Sequence, residues 1–192
     1  TNLLKAIAAF QEALKVRTLQ AFPVQYAGVQ NNLGNAYCDL ADVRDVEQNL
    51  QRAVAAYLEA FKVRTFQAFP TDYAETQNNL GDAYMSLADV REKEQNLQMA
   101  VAAYQEALNA FRAERLPMQT AHGALALAVA KHRAAQSAAP DQARSMLVEA
   151  EALLQECAQA FAALHDGVRL RQSQELLDAV RAALQQEGPA GA

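Results

Sequence analysis

The stretch that decides the fold is Gln-Asn-Asn-Leu-Gly at residues 30–34, which recurs as the same five residues at 77–81. The shift of 47 positions superimposes residues 1–47 on residues 48–94 with 30 identities. A third copy begins at Gln95 and then fades along the chain. A repeat of this length is typical of supersecondary units that stack on their neighbours, so the sequence predicts a repeat array.

Each unit contains two stretches with helical periodicity. In residues 49–66 the apolar side chains follow the i, i+3, i+4 spacing of one helix face, and Pro70 ends this helix and begins the next. The connections inside the units are placed at residues 42–48 and 89–95. Gly81 lies within the helix that begins at Pro70, at a cost of about 1 kcal/mol relative to alanine. We therefore expect a neighbouring helix to approach the backbone closely at this glycine.

The composition also indicates helices. Of 192 residues, 52% are hydrophobic but only 7% are aromatic, and the chain has 7 Gly, 5 Pro and no Trp. Strands favour β-branched and aromatic side chains, and all-β folds need many turns that contain Gly and Pro. The predicted fold class is therefore all-α.

The charge and the cysteines restrict the environment and the partners. The net charge is −5 without a cluster of Lys and Arg, which disfavours a nucleic-acid partner. No apolar run reaches the roughly 18 residues of a membrane span, so no membrane partner is expected. Cys38 and Cys157 lie far apart without a metal-binding spacing, which favours free thiols in a reducing compartment. We expect a cytoplasmic location.

The positions that the copies share resemble the tetratricopeptide repeat family. In one unit these are small and large side chains at the family's spacing, namely Leu33, Gly34, Tyr37, Ala53, Tyr57, Ala60 and Pro70. The unit is longer than the family's usual length of about 34 residues, and Gln30 and Gln77 stand where Trp is usual. Long-repeat variants, such as kinesin-light-chain-like and bacterial arrays, are the most similar. The resemblance implies a right-handed α-α superhelix of about eight antiparallel helices.

We expect a single solenoid domain over residues 1–187. Its parts are a half repeat at 1–22, repeats at 23–69 and 70–116, a degenerate repeat at 117–165 and a capping helix at 166–187, followed by a flexible tail at 188–192. Degeneration is expected because the last unit of a solenoid turns a polar face outward. The chain begins with Thr1 and a helix without its first-type partner, so we interpret it as a piece of a longer scaffold.

The resemblance also assigns a binding groove, because the first helices of the family's units line a concave surface. The residues assigned to it are Asn31, Asn32, Asn35, Asp39, Glu75, Asn78, Asn79 and Asp82. Asparagine offers a donor and an acceptor that can hold a peptide backbone, and related domains use the position of Asn32 and Asn79 in this way. The alternative is that paired asparagines satisfy polar groups buried between helices. The two well-formed first helices supply none of the Lys and Arg of a carboxylate clamp, and the acidic groove favours a basic or neutral segment.

Four basic residues repeat near the helix ends, at Lys15, Arg17, Lys62 and Arg64. Cations at a helix C-terminus complement the helix dipole, and this interpretation explains the stripe without a ligand. The alternative is an acidic segment of a partner.

No set of residues for catalysis is apparent in the sequence. His122, His132 and His165 do not share a metal-binding spacing. Cys38 lies late in a helix, and its repeat equivalent is Met85, which indicates packing and not nucleophilic chemistry. We therefore expect no enzyme activity, no cofactor and no metal site.

Two functions remain open from the sequence. The first is a non-catalytic protein–protein interaction scaffold that binds a peptide or a helix in the groove. The second is a regulatory or self-assembly segment of a larger bacterial signalling protein, which would form a homo-oligomer through the N-terminal helix.

Overall fold

In the computed structural model, which describes residues 2–186, these residues form eight α-helices and no strand. The helices are α1 (Asn2–Val16), α2 (Pro23–Ala41), α3 (Val46–Ala60), α4 (Pro70–Leu87), α5 (Lys93–Ala113), α6 (Pro117–Ala135), α7 (Pro140–Ala163) and α8 (Gly167–Gln186). The predicted class, all-α with about eight helices, is confirmed over these residues. The predicted tail at 188–192 lies outside them, and the right-handed superhelical path stays a prediction.

Prolines mark the beginnings of four helices. Pro23, Pro70, Pro117 and Pro140 occupy the first turn of α2, α4, α6 and α7. Proline fits there because the first N–H groups of a helix have no intrahelical partner and its φ is already helical. The beginnings of α2, α4 and α6 therefore follow the 47-residue period of the sequence.

The predicted bounds of the second helix and of the connection before it are wrong. α3 begins at Val46 and ends at Ala60, whereas the periodicity had extended the helix over residues 49–66. The loop before α3 is shorter than the predicted 42–48, because Asp45 adopts a left-handed conformation with φ of 49° and turns the chain sharply. Glu92, with φ of 44°, does the same before α5.

The segment after α3 is a compact turn with its own hydrogen bonds. The Thr65 hydroxyl accepts a hydrogen bond from the Ala68 N–H at 3.2 Å, a local bond that competes with helix formation. Phe61 and Phe66 pack their rings on Tyr73 of α4, with centroids 5.5 and 6.2 Å away. The apolar residues that fit a longer helix in the periodicity therefore attach the turn to α4.

The chain divides into two compact units, Thr1–Ala103 and Tyr104–Ala192, and the division falls inside α5. In unit 1, consecutive helices pack side by side. The hydrogen bond from Tyr26 at the start of α2 to Glu59 at the end of α3 shows that these two helices run antiparallel. The core consists mainly of Ala, Leu and Tyr side chains: Ile7, Leu33, Ala36, Tyr37, Leu40, Ala53, Ala56, Tyr57, Leu80, Ala83 and Ala103. One single domain over 1–187 stays a prediction.

A close approach of the kind expected at Gly81 occurs at its repeat equivalent Gly34, and at Gly81 itself it stays a prediction. A Cβ atom at Gly34 would lie 2.7 Å from Cδ1 and 2.8 Å from Cζ of Tyr57. Atoms at such distances overlap, so α3 packs against bare α2 backbone at this point. Glycine is required there by the shape of the neighbouring ring.

In unit 2, α7 packs between α6 and α8. Its buried face carries Leu154, Cys157 and Phe161, and the Cys157 thiol lies 3.4 Å from the Ser173 hydroxyl of α8. Lys131 of α6 occupies the position where the better copies have Tyr, and its ammonium group pairs with Glu149 at 2.7 Å. An ion pair thus replaces an aromatic contact in the degenerate copy.

His122 of unit 2 is expected to make the stability of the chain sensitive to mild acid. Its ring lies 5.4 Å from that of Phe161, and its buried Nε2 has no hydrogen-bond partner. Burial, reinforced by the cation of Arg169, lowers the pKa of His122 below its ordinary value of 6.5, and burial also lowers the pKa of His132. The unfolded chain therefore binds more protons than the folded chain just below pH 6.5, and the free energy of unfolding falls as the pH decreases through that range.

Urea denaturation at a series of pH values measures this effect. His122→Phe keeps the ring contact and removes one titrating group, so we expect a smaller loss of stability below pH 6.5 than in the parent protein. The same loss in His122→Phe would contradict the assignment to His122.

Candidate functional site

A ladder of polar side chains connects α2 to α4. The side-chain oxygen of Asn31 accepts hydrogen bonds from the Thr76 hydroxyl at 3.1 Å and from the Asn79 amide at 3.4 Å. The Asn79 amide also donates to the side-chain oxygen of Asn35 at 3.2 Å. Since Asn31 meets Thr76 and Asn35 meets Asn79 one turn later, α2 and α4 lie side by side and run in the same direction. We call these four residues the amide ladder.

The lower end of the amide ladder is held by Arg64. Its guanidinium donates to the Thr76 hydroxyl at 2.9 Å and pairs with the Asp72 carboxylate at 3.2 Å. Thr76 is fully buried, and the Arg64 side chain is only 14% exposed. A charged group with so little solvent depends on these two partners, so Arg64 is a structural residue.

The upper end of the amide ladder is held by Tyr57 of α3. Its hydroxyl donates to the side-chain oxygen of Asn35 at 2.7 Å and lies 3.6 Å from the Cys38 thiol. Burial raises the pKa of both groups, and the carboxylates of Asp82 and Asp39 raise them further. Cys38 is therefore a protonated thiol at neutral pH and is not activated as a nucleophile.

The structure separates the predicted groove residues into two groups. Asn31 is buried, and it joins Asn35 and Asn79 in the amide ladder, so the alternative of inter-helix hydrogen bonds describes these three side chains. The second group consists of the positions along α2 and α4 that reach solvent. Asn35 belongs to both groups, because its side chain is exposed and also takes part in the amide ladder. The members of the second group are Asn32, Asn35, Asp39, Glu75, Asn78 and Asp82.

The exposed positions form one polar stripe, which we call the acidic stripe. On each helix these positions follow the i, i+3, i+7 spacing of one helix face, at Asn32, Asn35 and Asp39 of α2 and at Glu75, Asn78 and Asp82 of α4. Neither α2 nor α4 contains a Lys or an Arg. Asp39 and Asp82 both raise the pKa of the Cys38 thiol, so a carboxylate of each helix acts on the same group. The stripe therefore has a negative potential that its own helices do not neutralise.

Thr76 is the residue that the sequence interpretation missed. The periodicity places it on the packing face of α4, where the structure indeed buries it, but as a hydrogen-bonding centre between Arg64 and Asn31. Its equivalent in the preceding copy is Val29. A polar residue at a packing position whose sister copy is apolar was the available signal.

The predicted basic stripe consists of residues in three different situations. Lys15 and Lys62 each pair with the glutamate one turn earlier, Glu12 at 2.6 Å and Glu59 at 2.7 Å. Arg64 lies between α3 and α4, and its side chain is nearly buried against Asp72 and Thr76 of α4. Arg17 is exposed, and over residues 2–186 its guanidinium makes no hydrogen bond or ion pair. The four cations thus do not act as one surface.

Metal-binding clusters and membrane-spanning helices are both absent from residues 2–186. No group of three or more His, Cys, Asp or Glu side chains is arranged to hold a metal ion. Within the same residues, none of the helices has the length and apolar character needed to cross a membrane.

Comparison with known proteins leaves the family open. No family model matches the chain, and no curated protein matches it. Among solved structures, the crystal structure of BtubC (BKLC) from P. vanneervenii is 17% identical, with 100% of this chain and 96% of that chain covered and a TM-score of 0.27. A TM-score of 0.27 is too low to indicate a shared function. The helical repeat fold follows from the duplicated sequence and from the helices that it forms.

Proposed function

We propose that the chain is a tetratricopeptide-type interaction module without catalytic activity, which binds a basic segment of a partner protein along the acidic stripe. The observation that carries the proposal is the combination of exposed carboxylates on two adjacent helices with the free carboxamide of Asn32 on one of them. Complementary charge steers a partner to such a surface and fixes its orientation.

Asn32 supports the backbone-binding part of the proposal. It is exposed on α2, and over residues 2–186 its side chain makes no hydrogen bond, although its repeat equivalent Asn79 bonds to Asn31 and Asn35. A free carboxamide can donate to a peptide carbonyl and accept from a peptide N–H at the same time. Such contacts are indifferent to the partner's side chains, so the carboxylates would supply the selectivity for basic residues.

The amide ladder supports the proposal in a second way, because it fixes the spacing of the two helices that carry the stripe. Asn31 and Thr76 are buried, Asn79 is half-buried, and their hydrogen bonds are formed before a ligand binds. A preformed surface loses less conformational entropy on binding than a surface that must order itself.

Neutralising the acidic stripe is expected to weaken the binding of a basic peptide at least tenfold. The variant combines Asp39→Asn, Glu75→Gln and Asp82→Asn, which keep the shape of each side chain and remove its charge. Several charge pairs at about 0.5 kcal/mol each give a loss of this size at low salt. Fluorescence anisotropy with a labelled lysine-rich peptide measures the dissociation constant.

A matched control separates the stripe from the general negative charge of the chain. Asp141→Asn, Glu175→Gln and Asp178→Asn make the same three types of change at exposed positions of α7 and α8. We expect this control to bind the peptide as the parent protein does, and Asn32→Ala to weaken binding without a change in helicity. Equal losses in both triple variants would show attraction to net charge alone and contradict the assignment.

A further inference from the structure

Arg17 and Arg64 occupy equivalent positions of two almost identical turns. The Phe22 N–H bonds the Thr18 carbonyl at 2.9 Å, and the equivalent Phe69 N–H bonds the Thr65 carbonyl at 2.9 Å. The hydroxyl groups of the two threonines also accept equivalent backbone bonds, both of 3.2 Å. The two arginines are thus followed by turns with the same hydrogen bonds, although α1 continues to Val16 whereas the equivalent Val63 lies beyond the end of α3 at Ala60.

The surroundings of Arg64 show which chemistry this position binds. Its guanidinium holds the Asp72 carboxylate and the Thr76 hydroxyl. Val63 and Phe69 line the same small cavity as Arg64 and Asp72. The position therefore binds a carboxylate, with apolar side chains beside it.

Arg17 has lost both of these partners. Gln25 stands where Asp72 would be, and the buried Val29 stands where Thr76 would be. Arg17 is left exposed and unpaired beside two apolar residues that are also exposed, Val16 at 69% and Phe22 at 46%. Their equivalents Val63 and Phe69 are more buried.

We propose that Arg17, Val16 and Phe22 form a docking point for an acidic segment of a partner protein, in which an Asp or Glu carboxylate binds the Arg17 guanidinium and an adjoining apolar side chain covers Val16 and Phe22. Charge complementarity selects this occupant, since Arg17 offers an unpaired cation whereas the neighbouring Lys15 already pairs with Glu12. The site is separate from the acidic stripe, which an acidic segment would avoid. It stands whether or not the stripe binds a basic segment.

The protein's own α4 supplies a probe. A peptide with the sequence of residues 70–81, blocked at both ends, carries the carboxylate and the hydroxyl that Arg64 binds and has a net negative charge. Titrated into the 15N-labelled full chain to about 2 mM, it is expected to shift the Nε–Hε resonance of Arg17 and the backbone resonances of Val16 and Phe22. The same peptide with Asp72→Asn is expected to bind about fivefold more weakly, as for the loss of one exposed ion pair.

Three variants of the chain complete the test. Arg17→Gln removes the cation, and Gln25→Asp restores the missing internal carboxylate, so each is expected to weaken binding of the peptide about fivefold. Lys15→Gln, which removes a neighbouring cation that is already paired, is expected to bind the peptide as the parent chain does. Absent shifts at Arg17 would overturn the docking point. Unchanged affinity would also overturn it, whether in Arg17→Gln, in Gln25→Asp or with the Asp72→Asn peptide. So would a loss of affinity in Lys15→Gln as large as that in Arg17→Gln. Shifts that depend on the concentration of the chain alone would make a second copy the occupant and also overturn it.

Discussion

Replacing Gly34 by alanine is expected to destabilise the chain by about 2 kcal/mol, although alanine is the better helix former. The added methyl group would overlap the ring of Tyr57, whose Cδ1 and Cζ atoms lie 2.7 and 2.8 Å from its position. Overpacking of a buried site costs about 1–3 kcal/mol, and so severe an overlap places Gly34→Ala at or above the upper end of that range. The better helix propensity of alanine returns about 1 kcal/mol, which leaves a net loss of about 2 kcal/mol. Thermal unfolding followed by circular dichroism should show a midpoint lower by about 4–8 °C.

The ring of Tyr57 has little freedom to move away from the added methyl group. It is 1% exposed, and its hydroxyl is held by Asn35 at 2.7 Å. Displacing the ring would break this hydrogen bond at the upper end of the amide ladder. In a Tyr57→Leu background, the Gly34→Ala substitution should therefore cost less by about 1 kcal/mol or more, since neighbours in contact are non-additive.

Gly28→Ala is the matched control on the same helix. No atom lies within 4 Å of a Cβ atom built at Gly28, so alanine there should increase the stability by about 0.5–1 kcal/mol. Gly123 is intermediate, because its Cβ atom would meet Phe111 at the ordinary contact distance of 3.5 Å. If Gly34→Ala were as harmless as Gly28→Ala, the close packing of α3 on α2 would be wrong.

Much of the fold could be predicted because duplication repeats each signal. Pro23 and Pro70 mark helix beginnings in two copies, and the recurrence of glycine in mid-helix indicated the close approach that Gly34 makes. The end of α3 at Ala60 could not be predicted from periodicity. Phe61 and Phe66 are compatible both with a longer helix and with a turn that packs on Tyr73. Only their contact with Tyr73 distinguishes the turn from the helix.

The candidate site was less predictable, because neighbouring residues of one type have different surroundings. Asn31 and Asn32 are adjacent in the sequence, but a rotation of about 100° per residue buries the first and exposes the second. Sequence spacing gives this rotation only relative to a known packing partner. Arg17 and Arg64 present the same difficulty, since identical motifs meet different side chains at positions 25 and 72.

Thr76→Val is expected to destabilise the chain by about 2 kcal/mol with no change in side-chain volume. The hydroxyl group of Thr76 accepts a hydrogen bond from Arg64 at 2.9 Å, and its single hydrogen is shared between the Asp72 carbonyl at 2.8 Å and the side-chain oxygen of Asn31 at 3.1 Å. Without it, one N–H of the nearly buried guanidinium has no acceptor, and the side-chain oxygen of Asn31 keeps only the Asn79 amide. An unsatisfied buried polar group costs about 1–3 kcal/mol, and more where the group is charged.

Thr71→Val provides the control, because Thr71 lies exposed at the start of the same helix. The control should change the free energy of unfolding by less than about 0.5 kcal/mol, as surface substitutions usually do. Urea denaturation gives both values, and amide hydrogen exchange should show faster opening of α2 and α4 in Thr76→Val alone. Equal effects at the two threonines would mean that the amide ladder does not hold the two helices together. In that case the spacing of the acidic stripe would need another cause. Among residues 2–186, Arg64 is the only cation that contacts the amide ladder, and it does so at Thr76.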